Sequence, residues 1–426
     1  MKRILKNILI DRRTLVGSLA IMLAALLWSI DGLFIRPKFY QSPVELIVFL
    51  EHILGFLILC PFVYIYRGQI KFLSWSSWLA IVWISIFGGV IGTIMITKAF
   101  FIAAAGGISF ALIVILQKLQ PIFAILLSRL ILGEKLTKKF YLWAGLAILA
   151  AYFLAFGKTG LNLAALDWRH SAALFAFIAA FSFGSSTVFG KRIANHLDYK
   201  AVAALRFGVT SLLMSAILLF SGRVGAISGL STSQWELLIL IVLTSGAGAM
   251  FIYYFGLQKV PASLATVLEL FWPLSSLVLD YVFNKNYLTW PQAFAAFVLL
   301  LAFYQSSLAS KAWQIVFKAR VIRGVGRGKK LGFPTANLDK TDLDIPHGVY
   351  AVNIIIKDKS YAGVMHFGFR EVFDKPVSLE VLIKDFSGDI YGETVIVKIS
   401  HKIREVKKFA DSQALIEAIK HDSQVV

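Results

Sequence analysis

Long apolar runs constrain this chain more than any other feature. Ten of them recur, at residues 14–35, 43–66, 77–97, 107–132, 138–157, 169–190, 199–220, 234–256, 261–283 and 290–309. Each is about 20 residues long, enough for a helix to cross the hydrocarbon core of a bilayer. Inside that core every backbone polar group must be bonded internally, so runs of this length must be helical. The expectation is a membrane all-α region of ten transmembrane helices. The chain as a whole is 58% hydrophobic and 16% charged, whereas soluble proteins carry about a quarter charged residues. From residue 311 the pattern changes to short alternating strands with frequent charges, which marks the main boundary.

Charge supplies an orientation. The formal net charge is +19, with a basic surplus of 14 before residue 311 and of 5 after it. An even number of crossings puts both termini on one side. Fourteen Lys and Arg, from Lys2 and Arg3 to Lys200 and Lys259, fall on the N-terminal side; Arg36, Lys38, Lys158, Arg169, Arg223 and Lys285 fall opposite. Basic loops mark the cytoplasmic face, so both termini are expected in the cytoplasm, with the chain in the plasma (inner) membrane. The same bias accounts for the basic balance without a nucleic-acid partner, and none is expected. Residues 1–13, MKRILKNILIDRR, read as a basic cytoplasmic lead-in to an uncleaved first helix. Cys60 is the single cysteine, so no disulfide framework or zinc site can form within the chain.

The apolar region contains an internal repeat. "KLQPIFAILLSRLILGE" parallels "LFWPLSSLVLDYVFNKN", aligning Pro121 with Pro273 and Gln117 with Glu269. "SPVELIVFLEHILGFLIL" parallels "DYKAVAALRFGVTSLLM", aligning Glu51 with Arg206. Two halves, 14–157 and 158–309, each hold five runs. Five is odd, so the halves must be inverted relative to one another, a common transporter plan with a site between the repeats.

This region resembles the EamA-type drug/metabolite transporters. The resemblance rests on Trp28-Ser29, Leu205-Arg206-Phe207, the prolines 121 and 273, and Gly133-Glu134 at the end of the fourth run, and it covers residues 14–309. Where the first half would show arginine, this chain has Glu51-His52. Ionisable residues deep in membrane helices face a cavity or a partner. Glu51, His52, Lys118, Arg206 and Glu269 are the transport-site candidates. Asp31, Lys98 and Asp280 lie nearer the ends of their runs and read as reaching the interface. Two readings stand for the deep set: Glu51 and Arg206 pair to fix helix packing, or the group forms a polar substrate site. Trp28, Phe271 and Trp272 offer rings that could stack on a flat heterocycle.

The remainder reads as a small antiparallel barrel with a terminal helix. "YAVNIII" and "YAGVMHF" flank a hairpin turn at 357–360; "VSLEVLIKDF" and "ETVIVKIS" flank a second turn at 387–392. "ADSQALIEAIKHD" has a cap signal and helical spacing. Before the strands lies RGKKLGFPTANL, residues 327–338. Its glycines allow close backbone approach to a ligand. It lacks the spacing of an ordinary P-loop. Thr335 and Asn337 carry oxygens suited to Mg²⁺, and a metal with backbone amides is the minimal equipment for phosphoryl transfer.

These stretches, with "IPHGVY", "LEVLIKDFSGDIYG" and "IREVKKFADSQALIEAI", resemble the riboflavin kinase domain of bacterial bifunctional riboflavin kinase/FAD synthetases, over residues 315–426. The resemblance implies a six-stranded antiparallel β-barrel with a C-terminal helix, using ATP and Mg²⁺, and the charge bias would place it in the cytoplasm. It implies ATP-loop roles for Arg327, Gly328, Lys329, Gly332, Pro334, Thr335 and Asn337. Thr335 and Asn337 would serve the metal, Glu380 would be the base for the riboflavin 5′-hydroxyl, and Arg404 would lie on the flavin side. The chain departs from the family at Arg370-Glu371-Val372, where Arg-Pro-Thr is common, and at Leu382, where histidine is common. No nucleotidyl-transferase half follows from these motifs, so FMN would be the product.

The linker at 310–314 is too short for a flexible tether. The pairing suggests uptake of riboflavin followed by phosphorylation, the partners being riboflavin, ATP and the lipid bilayer, with a homodimer left open. The alternatives are a carrier of another small molecule with the tail as flavin sensor or separate kinase, or a flavin exporter.

Overall fold

The computed structural model describes residues 12–104, 113, 116–156, 171–285, 287, 289–310, 316–324, 328, 332–343, 345, 347–357, 359–368, 377–406, 409 and 411–424. Two compact units divide the chain, Met1–Ala312 and Trp313–Val426.

In the first unit each of the ten apolar runs holds helix within its described residues. Eight stretches among the described residues are long and apolar enough to cross a membrane, from Arg12–Phe39 to Trp290–Ala309. Gln120–Ile131 is a shorter apolar helix, and Lys138–Phe156 is a further helix of 19 residues. Helix starts follow local rules. Ser231 with Gln234 and Thr289 with Gln292 form reciprocal capping boxes, each satisfying amides that the first turn leaves open.

The helices are interrupted within the apolar runs. Asp31–Ile35 and Ile84–Ile91 are π-helical, a form that recurs at functional sites. Thr232–Leu243 and Ala247–Lys259 are separate helices within one run, as are Ala262–Leu268 and Phe271–Asn284. Breaks free backbone groups that must find partners in a membrane interior. The Trp28 indole donates to the carbonyl of Ser245 at 2.9 Å, inside one such break. Gly133 and Lys285 stand equally far after Pro121 and Pro273, and both are left-handed, at φ 65° and 58°. Glu134 has a structural job: its carboxylate accepts from the amides of Ala262 at 2.8 Å and Ser263 at 3.2 Å, capping the helix that follows Pro261.

In the second unit, described residues form strands β1 (Val316–Ile322), β2 (Thr335–Leu338), β3 (Gly348–Ile356), β4 (Lys359–Gly368), β5 (Ser378–Ile383) and β6 (Thr394–Arg404). They close an antiparallel barrel in the order β1-β2-β5-β4-β3-β6. This is the barrel expected from the alternating strands. Phe317, Ala319 and Val321 of β1 point inward, as do Met365 and Phe367 of β4 and Leu379 and Val381 of β5. The hairpin between β3 and β4 turns at Lys357, φ 46°. The C-terminal helix spans Ser412–Gln424.

Candidate functional site

On the barrel, strand alternation decides which side chains face outward. Leu379 and Val381 are buried in the core, so Glu380 between them points out. The register then chooses its neighbours. Asn337 of β2 lies opposite Glu380 on one side, and His366 of β4 lies opposite it on the other. The Thr335 hydroxyl donates to Glu380 Oε2 at 3.2 Å, and the Ser378 hydroxyl to Oε1 at 3.5 Å. The loop lies close over this face because two glycines permit it. A Cβ at Gly324 would overlap the Asn337 carboxamide, and one at Gly328 would come within 2.9 Å of Thr335 Oγ1. The Phe333 amide donates to the Gly328 carbonyl at 2.8 Å, and Gly332 adopts φ 83°.

Gly328, Thr335, Asn337 and Glu380 therefore belong to one face, while Gly332 and Pro334 lie in the segment that leads into β2. Arg327, Lys329, Glu371 and Val372 lie outside the described residues. Hydroxyl, carboxamide and carboxylate oxygens converge there, a donor set that fits a hard divalent cation sharing its remaining positions with phosphates. Arg404 stands apart, on β6, three strands from β5 in either direction around the barrel. Its guanidinium grips Asp422 of the terminal helix, with contacts of 2.8 to 3.1 Å, and sits 5.3 Å from the Phe409 ring centre. Leu382 lies opposite Thr335 and Val364. His366 escaped the sequence reading; the buried Met365 and Phe367 on either side of it were the available signal, once β4 is paired with β5.

The membrane unit encloses a cavity of about 650 Å³, within the range of small-molecule sites. All five deep candidates, Glu51, His52, Lys118, Arg206 and Glu269, line it, as do Trp28 and Trp272. Phe271 does not line it and packs on Phe303 instead. Glu269 sits at the break between two helices and accepts from the Tyr253 hydroxyl at 2.7 Å, the Thr187 hydroxyl at 3.3 Å and the Gln120 amide. Lys118 Nζ stands 4.1 Å above the centre of the Trp272 ring.

The Glu51–Arg206 pair, one of the two readings of the deep residues, does not form. Glu51 pairs with Arg36 at 3.2 Å, and Arg36 also holds Asp31 at 2.6 Å. The π-helical turn after Ile30 carries Asp31 inward and lets Arg36, five residues on, fold back over it. Asp31 is thus a cavity group and not an interfacial one, and Arg36 belongs with the cavity rather than the outer loop charges. Asp280 also lines the cavity, whereas Lys98 pairs with Glu45 at 2.8 Å. His52 bonds to the Val48 carbonyl of its own helix at 2.8 Å and lies against the Phe207 ring. Arg36, Tyr253, Gln120 and Thr187 were missed because their placement depends on helix breaks and packing.

Comparison with known proteins agrees with both halves. Residues 15–156 and 170–308 each match the EamA-like transporter family, and residues 312–426 match the riboflavin kinase family. The chain is 36% identical over 296 residues to the riboflavin transporter ImpX of Fusobacterium nucleatum, covering 68% of this chain and 97% of that one. It is 35% identical over 113 residues to the RNA-binding riboflavin kinase RibR of Bacillus subtilis, 26% of this chain and 49% of RibR. It is 36% identical over 114 residues to the bifunctional riboflavin kinase/FMN adenylyltransferase of Bacillus subtilis, 25% of this chain and 36% of that enzyme. The chain thus spans about half or less of these kinase relatives. It is a multi-pass membrane protein that belongs to the EamA-like transporter family and carries a riboflavin kinase domain at its C-terminal end.

Proposed function

We propose that the membrane unit imports riboflavin and the C-terminal domain phosphorylates it to FMN with ATP, trapping it in the cytoplasm. The observation that carries this reading is the union in one chain of a kinase domain for riboflavin with a membrane region similar to a riboflavin transporter over 97% of that transporter. A phosphate monoester carries about −1.5 to −2 charges near neutral pH. A cavity that admits the neutral flavin does not return this dianion by the route of entry. Continuous removal of free riboflavin sustains entry by mass action.

In this reading the membrane unit makes ten crossings as two inverted five-helix repeats, 14–157 and 158–309, joined through 310–314 to a cytoplasmic kinase at 315–426. Its support is the double family match, the equivalent left-handed residues Gly133 and Lys285 and the basic loops. Glu269, Lys118 and Arg206 face the cargo. Glu51 is neutralised by Arg36, and His52 braces the helix against Phe207.

Glu380 is the base that takes the proton of the ribityl 5′-hydroxyl as that oxygen attacks the γ-phosphate of ATP. Thr335 donates a hydrogen bond to Glu380 and would keep its lone pairs for Mg²⁺, with Asn337 beside it. Bound there, Mg²⁺ would offset phosphate charge. Gly328, Gly332 and Pro334, with Arg327 and Lys329, form the ATP loop.

The test is uptake of labelled riboflavin by vesicles loaded with Mg-ATP. Wild-type vesicles accumulate label as FMN, whereas Glu380→Gln vesicles stop at equilibrium with external riboflavin. Equal accumulation by the two would rule out trapping.

A further inference from the structure

Two guanidinium groups line the membrane cavity, and they are treated differently. Arg36 is held between Asp31 and Glu51. Arg206 lies mid-helix in Tyr199–Phe220, is only 8% exposed, and has no carboxylate partner among the described residues. Its Nη1 donates to the Tyr254 hydroxyl at 3.3 Å and reaches Met250 Sδ at 3.5 Å, both neutral. Its Nε is buried with no hydrogen-bond partner among the described residues. Nε–H and Nη2–H share one edge of the planar group and make a fork suited to two adjacent acceptors.

A second donor stands beside that fork. Ser186 is 7% exposed and its hydroxyl is also buried without a partner among the described residues. Gly88 connects the two. A Cβ there would overlap Ser186 Oγ and come within 3.0 Å of Arg206 Nη2. The serine and the fork therefore both pack against Gly88, which brings them together, and both residues line the cavity. A charged group within a membrane protein faces its partner or its pathway. Among the described residues no acceptor meets the Nε–H, and the cavity is where one would arrive.

We propose that Arg206 Nε and Nη2, with Ser186 Oγ beside them, form a subsite for two adjacent electronegative acceptors of the transported molecule. For riboflavin these are N1 and the C2 carbonyl on the pyrimidine-dione edge of the ring. This assignment rests on riboflavin as the cargo. It fixes which end of the ring enters the Arg206 side, and leaves the flat faces to Trp28 and Trp272, which line the same cavity.

The test uses the full chain in liposomes without internal ATP, so that the kinase takes no part. Labelled riboflavin uptake is competed with unlabelled riboflavin and with 1-deazariboflavin, in which N1 is replaced by C–H. Against the wild type, the deaza analogue competes about tenfold more weakly, as expected for a lost hydrogen bond to a charged group. In Arg206→Gln the apparent KM for riboflavin rises by about tenfold, and the two compounds compete equally. Equal competition against the wild type, with riboflavin uptake intact, overturns the subsite and leaves the cargo assignment standing. No riboflavin uptake by the wild type overturns both. The wild-type comparison decides the matter even where Arg206→Gln fails to fold.

Discussion

The Thr335 hydroxyl on β2 donates to the Glu380 carboxylate on β5 at 3.2 Å. The bond crosses the ladder in which Asn337 opposes Glu380, so loop and carboxylate are tied before any substrate binds. In the proposed mechanism this holds the base at a set distance from the metal-bound phosphates.

Glu380→Gln keeps the shape of the side chain and removes its capacity to take a proton. Steady-state FMN formation should show kcat lowered by about 10² to 10⁴. Thr335→Ala should instead raise the Mg²⁺ concentration needed for half-maximal rate. A Glu380→Gln enzyme of wild-type kcat would remove Glu380 from the reaction.

Arg36 separates two buried carboxylates, Asp31 and Glu51. Arg36→Ala leaves like charges side by side with no cation between them, at a cost of about 3–5 kcal/mol. The thermal unfolding midpoint of the purified protein in detergent should fall. Adding Asp31→Asn and Glu51→Gln should restore part of it, because the uncompensated charge is then gone.

Glu269 collects donors from Tyr253, Thr187 and Gln120. If it also accepts from the cargo, Glu269→Gln weakens riboflavin uptake by about tenfold or more, and Tyr253→Phe by about fivefold. Transport assays without internal ATP give both values. Unchanged uptake in Glu269→Gln would assign the carboxylate to helix packing.

Arg404 and Asp422 join β6 to the terminal helix through a bidentate pair in which Asp422 is almost fully buried. Asp422→Ala should destabilise that attachment by about 2 kcal/mol. Hydrogen exchange should quicken across Ser412–Gln424 and leave the barrel strands protected. Protection unchanged in that helix would show that other contacts hold it.

Much of the architecture was legible in the linear pattern, because hydrophobic period is a local property. Apolar runs marked the helices, alternation marked the strands, and the isolated Glu380 between Leu379 and Val381 already faced away from the core. The five deep ionisable residues converged on one cavity because charge inside a membrane has few other places to go. Their partners were a different matter. Glu51 meets Arg36 and not Arg206 because a π-helical turn redirects Asp31 and the residues after it, and the apolar period of that run does not register the turn's extra residue. His366 comes opposite Glu380 only through the β4–β5 register. Gly133-Glu134 ends one helix by local rule, yet Glu134 caps another 128 residues away. Sequence determined which residues had to be buried, exposed or helical. Tertiary structure decided which of them met, since pairing depends on register, helix breaks and packing that no single segment contains.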